Sequence, residues 1–182
     1  MKRGRMFAVL VFILCCAHQA IAQVPLLQRG TKELSLSGFF DFENEGDALI
    51  DIRASYGFFP RDYLEVGGLV QIAGDFDDTF RYELGGFAEY HFKHLIFLKA
   101  PVAVPYAGAD LSLSFVDSDI TEDNAALLFR PRVGVKWFIR DYFAIDTSLF
   151  FALATDDLFP NGRNDLDFYD IGIRLGLRVN FK

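Results

Sequence analysis

The chain has 182 residues, a formal net charge of −7 and a hydrophobic content of 52%. Its length suggests one domain, or two at most. The acidic balance argues against a nucleic-acid-binding protein, which would need a basic patch to neutralise phosphates. The 21 phenylalanines and the high hydrophobic content argue against a disordered or fibrous chain. Only two cysteines occur, both within the first 16 residues, so a disulfide scaffold and a zinc framework are excluded.

Residues 1–22 have the features of a secretory signal peptide. Three basic residues in the first five positions precede an apolar run over residues 6–16, which is too short to span a membrane as a helix. Ala20 and Ala22 then supply the small residues that a signal peptidase requires. We expect cleavage after Ala22, export, and a mature domain over residues 23–182.

The mature chain alternates apolar and polar residues with a period of two, which predicts strands with one apolar face each. The last run is the clearest, with seven apolar side chains on one face. Strands of soluble proteins usually have about 5–6 residues, whereas a tilted membrane-spanning strand needs about 9–11. In chain order, the eight predicted strands cover residues 34–42, 50–58, 64–72, 80–92, 104–115, 129–139, 143–153 and 169–181.

The predicted connections are of three kinds. Two short turns, over residues 59–64 and 138–143, form an internal repeat at an offset of 79 residues. The apolar segment 93–103 is interpreted as a connection or as an early start of the fifth strand. The remaining connections are polar linkers that hold 14 acidic residues and a single base, and they cover residues 43–48, 74–79, 117–126 and 154–167.

An even number of long strands joined by alternating short and long connections predicts an all-β, eight-stranded antiparallel up-and-down transmembrane β-barrel, with the apolar faces towards lipid. The alternative is a soluble eight-stranded barrel such as a lipocalin, which would bury the apolar faces inside. Aromatic residues near the short turns favour the membrane barrel, because they predict an interfacial girdle. These residues are Phe58, Phe59, Tyr63, Tyr90, Phe92, Trp137, Phe138, Tyr142 and Phe143.

The polar faces carry charges of both signs in nearly equal number. A confined lumen needs this balance, because unpaired buried charge is costly. Since side chains nearly fill the interior of an eight-stranded barrel, we expect a salt-bridged plug. Its predicted members are Asp41, Asp51, Glu65, Glu83, Glu89, Asp110, Asp146 and Asp170 against Arg53, Arg81, Arg130, Arg132, Lys136, Arg174 and Arg178.

The chain resembles the bacterial outer-membrane β-barrel domain proteins of the OmpA, OmpX and opacity-protein type. The resemblance rests on the signal peptide, on PYAGADLSLSF at 105–115, on RPRVGVKWFIRDYFAIDTSL at 130–149, and on the alternating last strand. It implies a monomer in a Gram-negative outer membrane that contacts outer-membrane lipid or lipopolysaccharide. Members usually end in an aromatic residue that assists assembly, and here Phe181 is penultimate. The resemblance therefore also implies the barrel-assembly machinery as a partner.

Residues suited to catalysis are scarce. A lipid-modifying esterase would need a serine, a histidine and an acid at one rim. The only histidines after the signal peptide are His91 and His94, beside the short-turn end and without a nearby serine in the sequence. We therefore expect no enzymatic activity, no catalytic residue and no cofactor.

Calcium binding is suggested by residues 117–123, which are similar to the start of an EF-hand loop. However, Glu122 occupies the position of the required glycine, and Leu128 that of the bidentate glutamate. We expect no specific metal site, and weak divalent bridging to lipopolysaccharide phosphates stays open.

Three function classes remain open. The first is a structural or surface-interaction protein that exposes its acidic loops. The second is a small channel or a transport barrel for hydrophobic molecules. The third is a lipid-modifying enzyme. The charged lumen favours the first class, because a route for hydrophobic molecules should have an apolar lining.

Overall fold

The structure is a computed structural model that describes residues 27–41, 49–74, 79–93, 102–118, 124–156, 159–160 and 166–182. Its strands are β1 (Lys32–Asp41), β2 (Leu49–Arg61), β3 (Leu64–Gly74), β4 (Thr79–His91), β5 (Val102–Ser118), β6 (Asn124–Arg140), β7 (Phe143–Ala154), β8 (Phe159–Pro160), β9 (Leu166–Asp167) and β10 (Tyr169–Phe181). All except β8 and β9 form one closed antiparallel barrel, in which β10 pairs with β1. The predicted eight-stranded up-and-down barrel is confirmed.

The apolar face of each barrel strand points outwards and the polar face points into the lumen. On β10, Ile173 is 65% exposed, whereas the next residue, Arg174, is 3% exposed. This alternation arises because successive side chains of a strand lie on opposite faces of the sheet. The soluble alternative required the apolar faces to point inwards, and it is therefore wrong. No helix in the described part of the chain is long and apolar enough to cross a membrane.

The connections divide the barrel into two ends. β1, β3, β5 and β7 all end at one end of the barrel, called the linker end because the longer linkers follow these strands in the sequence, and the two tight turns lie at the other, called the short-turn end. The two copies of the internal repeat form similar hairpins. Each contains a register shift, between Phe58 and Arg61 in the first copy and between Phe138 and Arg140 in the second. The repeat therefore encodes an irregular turn twice.

The predicted aromatic girdle is correct for some residues and wrong for two. Phe58, Tyr90 and Trp137 are exposed on the outer surface. Phe59 and Phe138 are buried, with 1% and 4% of their surface exposed. They follow the strand alternation onto the inward face, at a level of the barrel where the inward residues are apolar.

An apolar layer fills the short-turn end of the lumen, where Phe59 and Phe138 pack with Leu27, Val102, Val104 and Ala144. Leu27 belongs to the segment that precedes β1. This segment is held by backbone hydrogen bonds, in which Tyr63 N donates to Leu27 O and Gly30 N donates to Phe59 O, each at 2.9 Å. The chain before the first strand therefore contributes to the inside of the barrel.

A second apolar layer lies inside the barrel towards the linker end, and it consists of Val116, Ala126, Leu128, Phe150 and Ala152. It explains a correction to the predicted linker over residues 117–126. Because both faces of residues 125–128 are apolar or small, the period-two contrast disappears from the sequence although the strand continues. β5 extends to Ser118 and β6 begins at Asn124, so both ends of that predicted linker are strand.

Several sequence predictions fall outside the described residues. The signal peptide over residues 1–22 and its cleavage site are among them, so the division into two segments stays a prediction. Most residues of the four acidic linkers also lie outside. Of the segment 93–103, the described part includes Lys93 and the last two residues, which form the start of β5.

Candidate functional site: the charged lumen

Between the two apolar layers, the described lumen holds seven carboxylates and seven basic side chains. All are buried except Arg81, whose side chain is 12% exposed. We divide them into a short-turn tier (Glu33, Glu65, Glu89, Lys136, Asp146 and Arg178), a linker tier (Asp51, Arg53, Arg81, Glu83, Asp110, Arg130 and Arg174), and Arg132 between the two.

Lys136 is the centre of the short-turn tier. Its Nζ donates to both carboxylate oxygens of Glu33, at 2.9 and 2.8 Å, and to Glu65 Oε2 at 3.0 Å. It also lies 3.3 Å from Glu89 Oε2. One ammonium group therefore serves carboxylates from β1, β3 and β4, as its three donors allow.

Arg178, on β10, is the second cation of this tier. Its guanidinium donates to Glu33 Oε1 at 2.6 Å, to both oxygens of Glu89 at 3.1 and 3.2 Å, and to Asp146 Oδ2 at 3.0 Å. The Tyr106 hydroxyl accepts from Arg178 at 3.2 Å and donates to Asp146 Oδ2 at 3.1 Å. The tier therefore connects strands around the whole barrel.

Arg130 organises the linker tier. It donates to both oxygens of Glu83 at 3.0 Å and to Gln71 Oε1 at 3.1 Å. Gln71 Nε2 in turn donates to Asp51 Oδ2 at 2.7 Å. Arg174 contributes longer contacts, 3.4 Å to both Asp51 Oδ2 and Gln71 Oε1.

Two further ion pairs complete the network. Arg53 pairs with Asp110. Arg132 connects the tiers, because its Nη2 lies 2.6 Å from Glu89 Oε1 and 3.2 Å from Asp110 Oδ1. The two tiers and Arg132 therefore form one continuous ionic core.

Three aromatic side chains each lie directly across the ladder from a glycine. A β-carbon added at each glycine would lie 2.7 Å from the ring. Ordinary van der Waals contact is about 3.5–4.0 Å, so a larger residue there would displace the ring. The pairs are Tyr106 with Gly134, Phe150 with Gly172, and Phe87 with Gly67.

These rings position the cations of the network. Cations attracted to a ring face lie within about 6 Å of its centroid. The distances are 5.5 Å for Lys136 and 5.2 Å for Arg178 on Tyr106, 5.6 Å for Arg130 and 4.8 Å for Arg174 on Phe150, and 5.5 Å for Arg132 on Phe87. Glycines, rings and cations therefore act together as one packing unit.

Among the predicted lumen residues, thirteen lie in the network just described. Asp170 is half-buried on β10, and the side chain of Asp41 lies outside the described part of the structure. The sequence prediction missed Glu33, which precedes the predicted first strand by one residue. Extending the alternation by that residue would have found it. It also missed Gln71 and the three rings, which are uncharged and therefore carry no signal in a charge count.

His91 lies beside the short-turn tier and is completely buried. Its Nδ1 is 3.2 Å from Tyr63 O, and its Nε2 is 3.9 Å from Glu65 Oε2 and 3.8 Å from Glu89 Oε2. These three side chains could hold a metal ion by their spacing. The Lys136 ammonium, however, already contacts the same two carboxylate oxygens, so the group fits an ionic core better than a metal site.

The solved structures that are similar to the chain include two natural outer-membrane proteins. One is the N-terminal β-barrel domain of Pseudomonas aeruginosa OprF, with 19% identity and a TM-score of 0.56, covering 84% of this chain and 98% of that one. The other is Neisserial surface protein A, with 17% identity and a TM-score of 0.54, covering 83% and 95%. No protein-family model and no curated protein sequence matches the chain.

These likenesses extend over nearly the whole of each solved barrel. Together with the closed eight-stranded topology and the outward apolar faces, they confirm the resemblance drawn from the sequence. The chain has the fold of the eight-stranded outer-membrane β-barrels.

Proposed function

We propose that the chain is an integral outer-membrane β-barrel protein of Gram-negative type, exported by a cleaved signal peptide, with a structural or surface-interaction role. Its acidic linkers form the exposed interaction face, and its lumen is plugged by salt bridges. The observation that carries the proposal is the charge-matched ionic core enclosed in a wall whose outer surface is apolar.

The outer surface supports insertion in a bilayer. Among the described side chains, large apolar residues on the outer face of every barrel strand are exposed. The exposed fraction exceeds 60% for Ile171, Ile173 and Leu84. A water-soluble protein rarely exposes so large a continuous apolar surface. Closure of the barrel also pairs the strand edges, which hydrocarbon requires.

The paired lumen supports a plug rather than a channel. Every carboxylate of the two tiers contacts at least one cation. An ion that crosses the lumen must separate such pairs, and breaking a buried pair costs about 3–5 kcal/mol. The alternatives, a small channel or a transport barrel for hydrophobic molecules, would need an open or apolar path at this level.

The linker end supports the interaction role. The strands that precede the four acidic linkers all end at the same end of the barrel, opposite the tight turns, so we expect the linkers to lie together there. With 14 acidic residues and one base, this end favours cationic partners, or divalent ions that bridge it to lipopolysaccharide phosphates. Assembly by the barrel-assembly machinery and a monomeric state accompany this proposal. A lipid-modifying activity is not part of it, because His91 is enclosed within the barrel.

Heat-modifiability of the outer-membrane fraction tests the membrane barrel. We expect the mature protein to migrate differently on a gel before and after boiling, because a closed barrel resists detergent until heated. A protein found in the soluble periplasm, with no shift on boiling, would contradict the proposal.

Conductance tests the plug. We expect the native protein in planar bilayers to form no large, stable open channels. The variant carrying both Arg130→Ala and Arg132→Ala removes two consecutive inward cations of β6, and we expect it to conduct measurably. Large stable channels in the native protein would overturn the plug, whether or not the variant refolds.

A further inference from the structure

The rim of the short-turn end carries an excess of basic side chains. Outside the lumen, the described charged residues at this end are six exposed bases and two acids, Asp62 and Asp141. The bases are Arg29, Lys32, Arg61, Lys93, Arg140 and Lys182. No salt bridge between described residues involves any of the six. Their positive charge is therefore available to a partner outside the chain.

The bases follow one another around the rim, beginning at the second tight turn. The carbonyl oxygen of Tyr142, two residues after Arg140, accepts a hydrogen bond from Asn180 N at 2.7 Å. This contact brings the turn next to the end of β10, where Lys182 follows Phe181. The row of bases therefore passes from β6 and β7 to β10 without an intervening strand.

The row continues through β1 to the first tight turn. Lys32, the first residue of β1, is paired with Phe181 in the closing ladder. Arg29 lies three residues earlier, and its backbone N donates to Asp62 Oδ1 at 2.7 Å. This hydrogen bond places Arg29 beside Arg61, which directly precedes Asp62 at the end of β2.

The last base of the row lies after β4. Lys93 Nζ is 5.7 Å from the centroid of the Tyr63 ring, which belongs to the first tight turn. We call the whole row, from Arg140 through Lys32 to Lys93, the basic arc. It passes the ends of every barrel strand except β5.

The basic arc lies at the level of exposed aromatic residues. Lys32 is paired with Phe58 on one side and with Phe181 on the other, and both rings are exposed on the outer surface. Aromatic residues at the ends of membrane-spanning strands mark the boundary between hydrocarbon and headgroups. Long basic side chains at such a boundary place their charge among the headgroups. The position of Lys32 on the lipid-facing side of the ladder therefore favours a lipid over a polymer in the aqueous space.

The charge of the arc selects the class of lipid. Each lysine or arginine near an anionic membrane surface strengthens binding about fivefold. A zwitterionic headgroup has no net charge and gains little from this attraction. An anionic phospholipid headgroup gains from several bases at once, and only one acid stands in each turn against it.

We infer that the basic arc binds anionic phospholipid headgroups in the leaflet at the short-turn end. The acidic linkers, with 14 acids and one base, then belong to the opposite leaflet. The inference rests on the proposed function, because it requires a barrel inserted in a bilayer, and it names the lipid class that one end of this barrel selects.

The test uses Trp137, the single tryptophan of the chain, which is exposed on the outer surface three residues before Arg140. The native protein is placed in phosphatidylcholine vesicles that contain either phosphatidylglycerol or phosphatidylcholine with brominated acyl chains, which quench tryptophan fluorescence on contact. We expect phosphatidylglycerol to bind beside Trp137 about fivefold more strongly at low salt. At 1 M salt, where the screening length is about 3 Å, the two lipids should bind nearly equally.

Two variants of the second tight turn refine the test. Arg140→Gln should remove most of the preference at Trp137, whereas Asp141→Asn should increase it, because the variants change the charge of the turn in opposite directions. Both residues lie outside the ionic core, so we expect both variants to form the barrel. A probe at the other end is the double variant Trp137→Phe with Phe115→Trp, since Phe115 is exposed on β5 towards the linker end. We expect no preference for phosphatidylglycerol there.

Three outcomes would overturn the inference. The first is equal quenching of native Trp137 by the two brominated lipids at low salt, including the case in which the protein instead co-sediments with purified cell-wall sacculi. The second is a preference that 1 M salt does not reduce. The third is an equal preference at the Phe115→Trp probe. If neither brominated lipid quenches Trp137, the proposed function itself fails, because the outer surface would not contact lipid.

Discussion

The two charged tiers of the lumen differ in how many carboxylates each cation contacts closely. In the short-turn tier, Lys136 and Arg178 each contact at least three carboxylates within 3.3 Å. In the linker tier, Arg130 holds Glu83 at 3.0 Å and Arg53 pairs with Asp110, whereas Arg174 reaches Asp51 only at 3.4 Å. In the short-turn tier, two cations are therefore shared by four carboxylates. The linker tier has four arginines and three carboxylates.

This difference follows the structure around each tier. The short-turn tier lies where β1 and β10 are paired and where the apolar layer of Leu27 and Phe59 packs beneath it. The linker tier lies beyond Gly38 and Leu175, where the described ladder between β1 and β10 ends. We conclude that the short-turn tier contributes more to the free energy of unfolding than the linker tier, so substitutions in the linker tier should cost less stability.

The largest test of this comparison replaces one arginine in each tier. Arg178→Met leaves Glu33, Glu89 and Asp146 short of a cation, and we expect a loss of about 3–5 kcal/mol in the free energy of unfolding. Arg174→Met removes the 3.4 Å contact to Asp51 and the contact with the Phe150 ring, but Asp51 keeps its hydrogen bond from Gln71 and the tier keeps three arginines for three carboxylates, so we expect a loss of about 1–2 kcal/mol. Urea unfolding in lipid vesicles, followed by gel mobility, measures both. Equal losses would contradict the comparison.

A smaller effect is expected from the packing of the rings. Gly134→Ala places a β-carbon 2.7 Å from the Tyr106 ring, and we expect a loss of about 1–3 kcal/mol from overpacking. Gly68→Ala is the control, because Gly68 is an exposed strand glycine with its nearest neighbouring atom at 3.7 Å. We expect it to be neutral or slightly stabilising. A neutral Gly134→Ala variant would show that the ring moves freely and does not position Lys136 and Arg178.

The smallest effect concerns the segment before β1. Asp62 Oδ1 accepts a hydrogen bond from Arg29 N at 2.7 Å, and this contact is exposed. Asp62→Ala should cost about 0.5–1.5 kcal/mol locally and accelerate trypsin cleavage after Arg29, with the urea midpoint nearly unchanged. Asp141→Ala, at the matching position of the second turn, is the control. Equal cleavage rates in both variants would show that Asp62 does not hold the segment.

The sequence predicted most of the fold because the barrel is built on one simple periodicity. On β10, where an apolar outer face and a polar inner face alternate without a break, the predicted bounds agree with the structure. The prediction failed where both faces are apolar, as at Ala126 and Leu128, because no contrast marks the strand. It also wrongly assigned Phe59 and Phe138 to the outer girdle. An aromatic residue near a turn can face either outwards or into the apolar layer of the lumen, and its position near the turn does not distinguish the two.

The charged members of the lumen were predictable, but their partners were not. Alternation identifies which side chains face inwards, so Arg130 and Glu83 were recognised separately. Their contact depends on the stagger between distant strands, 47 residues apart in sequence. The length of the ladder between β1 and β10 was not predictable either, because no local pattern in these strands indicates how far they remain paired.

The pairing of Glu33 with Lys136 and Arg178 has a consequence for assembly. These residues are 103 and 145 positions apart, on the first strand and on strands near the end of the chain. A shift of one residue in the closing ladder would exchange the two faces of β1 and place Glu33 in hydrocarbon while Arg178 loses its carboxylate. Misaligned closure is therefore strongly disfavoured. The ion pairs of the lumen form only when the first strand is paired in the correct register with the last.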